Sequence, residues 1–127
     1  MRGAILAVLV ASFALASPRA ALSEDAPSAE AEKRTIEALI ASVAQLGDAT
    51  FVRNGKSYPA ATAARFLSEK WKAQQSEVRS AEEFIDRIAS FSSTTSKPYL
   101  IRFADGRQVS SAEYLRVELA KLRAKAP

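Results

Sequence analysis

Apolar residues at Ile36, Leu39, Ile40, Val43 and Leu46 follow the i, i+3, i+4, i+7 spacing that lines one face of an α-helix. Ser28 stands ahead of that run as an N-cap, and Gly47 behind it supplies a left-handed stop, so a first helix is expected between them. The period then shortens. In "TFVRNGKSY" two β-favouring runs flank Asn54-Gly55, a dipeptide whose residues both tolerate φ > 0, which predicts a hairpin with Arg53 facing Lys56 and Phe51 facing Tyr58. The aromatic pair would support this hairpin and the two like charges near its tip would weaken it slightly.

From Pro59 a second helix is predicted through about Arg79, with Ala63, Phe66, Leu67, Trp71 and Val78 as an uneven apolar stripe and Arg65, Lys70 and Lys72 on a solvated basic side. Ser80 and Glu83 have the spacing of a capping box and open a short third helix that buries Phe84, Ile85 and Ile88. A hydroxyl-rich stretch follows, "SSTTSKP". Tyr99 to Phe103 reads as a strand, Asp105-Gly106 as a turn and Arg107 to Val109 as the returning strand. Ser110 and Glu113 form a second capping box before Leu115, Leu119 and Leu122 of a last helix.

The pattern hairpin-then-helix therefore occurs twice, in "FVRNGKSYPAATAARFL" and "IRFADGRQVSSAEYL", through duplication or through chance recurrence of a short motif. An isolated hairpin is marginal in water, which favours pairing of the two. The expected fold class is α+β: four helices with two short β-hairpins, the small antiparallel sheet covered by helices. Alternation along the strands does not say which sheet face is core. Arg53 and Arg102 hold comparable places in the two hairpins, which raises the expectation that they share one face.

The first residues change the picture of where this domain works. Arg2, an uninterrupted low-polarity run from Ala4 to Ala16 and the triplet Ala14-Leu15-Ala16 have the layout of a secretory signal peptide. A run of that size covers only about 20 Å as a helix against a hydrocarbon core of about 30 Å, so a membrane anchor is not expected. The organisation expected is a signal peptide over 1–16, with 23 as the alternative end, a flexible segment over 17–27 and one domain over 28–125. The destination is periplasmic or secreted, with no stable membrane insertion once the leader is gone. Removal of Arg2 lowers the formal charge from +4 to +3, 17 of the 18 basic residues then facing 14 acidic ones. A pI near 9.6 in an exported chain points to anionic envelope components or an acidic partner and away from nucleic acid. With no cysteine the domain carries no disulfide framework, and packing must hold it.

The absence of both histidine and cysteine removes serine–histidine–aspartate and cysteine–histidine catalysis, and nearly all zinc sites. The four glycines, at positions 3, 47, 55 and 106, form no phosphate cradle. A serine–lysine pair remains available on paper in the loop, where a desolvated lysine activates a hydroxyl, but Thr94 stands where S-x-x-K needs its serine. Glu82 and Asp86 share a helical face, yet acids in a first turn are ordinarily there for the helix dipole. No catalytic residue, metal or cofactor is expected. Hydroxyls before Pro98 ordinarily end a helix and shape a turn. Flanked by Lys97 and Arg102, they also suit an anionic or polyhydroxylated group. The candidate binding residues are Ser92, Ser93, Thr95, Lys97, Tyr99, Arg102 and Arg53. Trp71 and Tyr99 are expected to be core or rim residues sooner than sugar-stacking platforms.

The stretches "FVRNG", "AEEFIDRIAS", Ser92-Ser93 and "KPYLIRF" resemble, in that order, a family of small exported bacterial proteins, the domain-of-unknown-function family DUF5329, over about Ile36 to Leu122. The resemblance implies Phe51, Arg53, Asn54, Gly55, Phe84, Ile85, Asp86, Ser90, Ser92, Ser93, Lys97, Pro98 and Tyr99 as family positions, and it implies no activity. Ser96 stands where the family pattern has glycine, which implies that a backbone conformation special to glycine is not needed here. The expected function is a non-catalytic binding or interaction protein whose working surface is the loop and strand over 92–102. Its partner would be an envelope protein or an anionic or polyhydroxylated envelope component. The alternatives are a hydrolase with an unusual serine–lysine pair, and a structural or scaffolding envelope protein that pairs through its sheet edge.

Overall fold

The computed structural model describes residues 27–125. The expected signal peptide over 1–16 and nearly all of the expected flexible segment lie outside the described residues. The elements are α1 (Ala29–Ala44), β1 (Thr50–Arg53), β2 (Lys56–Pro59), α2 (Ala60–Ala73), a 3₁₀ turn (Gln75–Glu77), α3 (Ala81–Arg87), β3 (Leu100–Arg102), β4 (Gln108–Ser110) and α4 (Ser111–Lys125). This is the predicted α+β arrangement, four helices with a small four-stranded antiparallel sheet.

Local chemistry starts and stops these elements largely where the sequence places the signals. Ser28 accepts the Ala31 amide at 3.0 Å and caps α1. Ser80 accepts the Glu83 amide at 3.1 Å and caps α3, while the Glu83 carboxylate reaches one residue further back and takes the Arg79 amide at 2.7 Å. Ser110 accepts the Glu113 amide at 3.1 Å at the head of α4. Asn54 at φ 53° and Gly55 at φ 78° make the tight first hairpin, in the predicted register of Phe51 with Tyr58 and Arg53 with Lys56. The two like charges are drawn apart over aromatic rings, Arg53 over Phe66 at 5.0 Å and Lys56 over Tyr58 at 5.6 Å.

The second helix ends earlier than expected. It stops at Ala73 instead of running to Arg79, because Gln74 leaves helical geometry at φ −123° and ψ 21° and the chain tightens into the 3₁₀ turn. The apolar stripe has run out by then. Val78 reaches the core from an extended backbone at φ −118° and ψ 102°. Pro59 closes β2 and stands one residue ahead of α2 instead of inside it.

The two hairpins join through their first strands, giving the order β2-β1-β3-β4. β1 pairs with β3 with Phe51 opposite Ile101, Val52 opposite Leu100 and Thr50 opposite Arg102. Phe51 and Ile101 point into the core with Ile36, Leu39, Val43, Leu67, Phe84, Ile85, Ile88 and Leu115. The helices thus cover one face, the side the sequence leaves undecided. Phe51, Phe66 and Tyr99 form an aromatic triangle with centroids 5.2 to 6.1 Å apart that welds α2 to the sheet. Trp71 is buried against Phe84.

Glu32 is the unanticipated member of this interior, a carboxylate only 6% exposed. It accepts the Ala81 amide at 2.8 Å and meets Arg123 at 3.3 Å, while Arg123 also holds Glu82 at 2.9 Å. Burial pushes the Glu32 carboxyl up, but the Arg123 hydrogen bond, the Ala81 amide and the Arg123 charge outweigh it and leave the group below its ordinary 4.5. A carboxylate depressed in this way stabilises the fold above its unfolded pKa, and that contribution is lost as pH falls through its folded value. Glu32→Ala is expected to cost about 1–3 kcal/mol in urea unfolding at pH 7, mainly by stranding a buried amide. The difference from wild type should shrink as pH falls below 4.5, whereas exposed Glu82→Ala should cost under about 1 kcal/mol.

Candidate functional site

The loop between α3 and β3 is closed at its base by the pairing of Phe91 with Pro98 and by two backbone bonds, from the Ser92 amide to the Lys97 carbonyl and from the Tyr99 amide to the Ser90 carbonyl, each 2.9 Å. Ser90 donates its own hydroxyl to the Ile85 carbonyl at 2.6 Å and so finishes α3. Much of the hydroxyl cluster turns inward. Ser92 is 2% exposed, and its oxygen accepts the Asn54 side-chain amide at 3.2 Å and the Thr94 amide at 3.3 Å and pairs with the Thr94 hydroxyl at 3.1 Å. Thr95 donates its hydroxyl to the Asn54 side-chain carbonyl and accepts the Lys97 amide. One asparagine at the tip of the first hairpin therefore holds two hydroxyls of a loop some forty positions later in the chain. Both Asn54 and Ser92 fall at positions the resemblance implied.

Ser96 corrects an expectation. Its φ is +61°, in the left-handed region, and its amide bonds the Ser92 carbonyl at 2.9 Å. The loop does require the conformation that glycine adopts freely; this chain reaches it with serine, at a strain of about 1–2 kcal/mol.

The remaining candidates separate. Ser93 and Lys97 are exposed beside the bound hydroxyls. The Lys97 amine, which a serine–lysine reading needs, makes no hydrogen bond to a loop hydroxyl among the described residues. Tyr99 is 2% exposed and belongs to the aromatic triangle. Arg53 and Arg102 do not share a face: with Thr50 opposite Arg102, Arg53 lies an odd number of positions away and alternation sends it to the helix side. Arg102 is exposed on the other side, donating from Nε and a terminal nitrogen to Gln108 Oε1 at 3.2 and 3.1 Å. It is therefore removed from the loop's charge.

Lys70 takes the place that Arg102 was expected to fill. Assigned by sequence to a solvated face, it is half-buried, and its amine donates to the Phe91 carbonyl at 2.9 Å and to the Tyr99 hydroxyl at 3.3 Å, 5.2 Å from the Tyr99 ring centre. Burial first, and then the charge of Arg53, hold its pKa below the ordinary 10.5. Burial raises the Tyr99 phenol, with Arg53 opposing. The signal was present in the spacing, for Lys70 stands four residues after Phe66 and three after Leu67, on the apolar stripe itself. On the loop's other flank, a groove of about 300 Å³ is lined by Ser90, Phe91, Pro98 and Ala112 and bordered by the Asp86–Arg116 ion pair at 2.9 Å. Phe91 is 51% exposed there.

Together these features define a small α+β domain with a cross-tied polar loop standing between a cationic flank and an apolar one. The chain belongs to the family of unknown function DUF5329, whose sequence profile matches residues 30–123. A similar protein is the uncharacterised protein YfeK of Salmonella typhimurium (strain LT2), 41% identical over 68 residues, which cover 54% of this chain and 57% of that one. The match thus spans little more than half of the relative's length. No solved structure matches this chain.

The bonds at the loop separate two kinds of hydroxyl. Ser92→Ala, which removes the acceptor of the Asn54 and Thr94 amides, is expected to lower stability by about 0.5–1.5 kcal/mol in urea melts, and Ser93→Ala by no more than about 0.5 kcal/mol. Ser96→Gly should be neutral or stabilising, whereas Ser96→Val should lose stability, as a β-branched residue is strained at positive φ.

Proposed function

We propose that this protein is an exported, non-catalytic binding protein of the cell envelope that holds an anionic or polyhydroxylated envelope component, or a partner displaying one, at the corner between the first hairpin and the 92–102 loop. Support for export comes from the amino-terminal sequence. Among the described residues no helix is long and apolar enough to cross a membrane.

One observation carries the binding reading: the polar loop is held in shape before any ligand arrives. Asn54 fixes Ser92 and Thr95, and Lys70 fixes the Phe91 carbonyl, so exposed groups of the loop are presented at little further entropic cost. Ser92, Thr95 and Tyr99 are the scaffold of this surface, while Ser93, Lys97 and the accessible part of Arg53 are its contact groups. Phe91, with its exposed ring beside Pro98, adds an apolar plate of the kind that packs against a sugar ring or an aliphatic side chain. Arg102 supports the sheet's outer face and does not belong to the contact set.

Replacing the scaffold would confound loss of contact with loss of shape, so the test uses exposed groups. A protein carrying Ser93→Ala, Lys97→Gln and Phe91→Ala should keep its circular dichroism spectrum and lose at least tenfold in affinity for isolated envelope polysaccharide or for a partner crosslinked in the envelope. Unchanged binding by a folded variant would move the working surface away from this corner.

A further inference from the structure

Most of the ion pairs near the helices follow a simple rule in which a cation is answered by an acid: Arg116 by Asp86, Lys121 by Glu118, and Arg123 by Glu32 and Glu82. Arg53 and Lys70 break it. Both are partly withdrawn from water, both lie against the Phe66–Tyr99 wall, and neither forms an ion pair among the described residues. The Nε of Arg53 is buried with no hydrogen-bond partner. An aromatic face attracts a cation by about 0.5–2 kcal/mol but does not neutralise it. Two like charges held over neighbouring rings of one aromatic wall without a counter-ion are a cost that core packing does not require, since Lys70 occupies a stripe position where an apolar residue would fit the helix pattern.

We infer that Arg53 and Lys70 form a receptor for one oxyanion, and that the group it takes is a phosphate monoester carried on a sugar. This rests on the binding surface proposed above and names the chemistry of its ligand. Two cations match a group of charge near −2 better than a carboxylate of charge −1, and Arg53 offers the planar fork suited to phosphate while Lys70 adds a point charge. The exposed Ser93 and Thr94 of the adjoining loop provide donors and acceptors at the scale of sugar hydroxyls. Among the clefts of the described residues, those along α1, beneath the loop, beside the β3–β4 hairpin and around Arg123 are lined without Arg53 or Lys70. Arg53 and Lys70 each keep part of their side chain in solvent, so the receptor meets from outside a phosphorylated end that protrudes from a larger molecule.

The test is a heteronuclear NMR titration of the purified protein with inorganic phosphate, glucose 6-phosphate, glucuronate and glucose, reading the Lys70 side-chain methylene and the Arg53 Nε–H. Phosphate and glucose 6-phosphate should shift both signals saturably, the sugar phosphate at least tenfold more tightly than glucuronate or glucose. Arg53→Gln and Lys70→Gln should each weaken that binding at least tenfold, and Arg102→Gln, on the sheet's other face, should not. No response of Lys70 or Arg53 to 10 mM-scale phosphate, or equal responses to glucuronate and glucose 6-phosphate, would overturn the receptor. The wild-type titration decides this even where a variant fails to fold. Envelope polysaccharide that perturbs the Ser93 and Lys97 amides while leaving Lys70 and Arg53 silent would sink the phosphate receptor and leave the binding surface standing.

Discussion

The pairing of β1 with β3 is the constraint on which the rest of the molecule depends. Each hairpin alone has too little apolar area to persist, and their union through the first strand of each yields one sheet with a continuous buried face. The register also fixes side. With Phe51 opposite Ile101, every second residue of both strands meets the helices, so Arg53 and Tyr99 fall on the helix side and Arg102 on the other. A slip of one residue would exchange these sets, exposing Phe51 and burying Thr50 and Arg102. The aromatic triangle on the buried side resists such a slip, because it engages a ring from β1, a ring just before β3 and a ring from α2 together.

Much of this was legible in the chain. Helix faces, three capping serines, the Asn54-Gly55 turn and its register all follow from local spacing, and local spacing is what a single sequence displays. The pairing of the two hairpins was expected on stability grounds, but not its register, which depends on partners about fifty residues apart. For that reason the shared face imagined for Arg53 and Arg102 did not survive. The end of α2 was misplaced because Val78 continues the apolar count while the backbone that delivers it is extended.

Two charged residues were hidden for one physical reason. Glu32 and Lys70 each occupy a position on the apolar stripe of a helix, four residues from Ile36 and from Phe66, and a pattern of polar and apolar letters reads a charge there as an interruption. In the fold each is a deliberate insertion with its own partners: a buried amide and an arginine for Glu32, a carbonyl and a phenol for Lys70. The stripe position is thus the signal, since a charge that periodicity sends inward must find a partner or be supplied with one. The hydroxyl cluster shows the converse. Its composition suggests a reactive or ligand-facing surface, yet Ser92 and Thr95 are spent on internal bonds, and the outward-facing chemistry belongs to their neighbours.

Arg123 near the end of α4 grips Glu32 at the beginning of α1 and Glu82 at the beginning of α3. The two extremities of the described domain are therefore clasped at a single corner, joined through one guanidinium. In topological terms the domain is nearly a closed ring cut at that corner. Such a chain suits circular permutation: a short glycine-rich bridge joining its ends, with the new break placed in the exposed turn at Asp105-Gly106, would keep every pairing of the sheet and leave the loop anchored by Asn54 undisturbed. It also suits insertion into a host protein, because a guest whose first and last helices share a corner asks little rearrangement of its host.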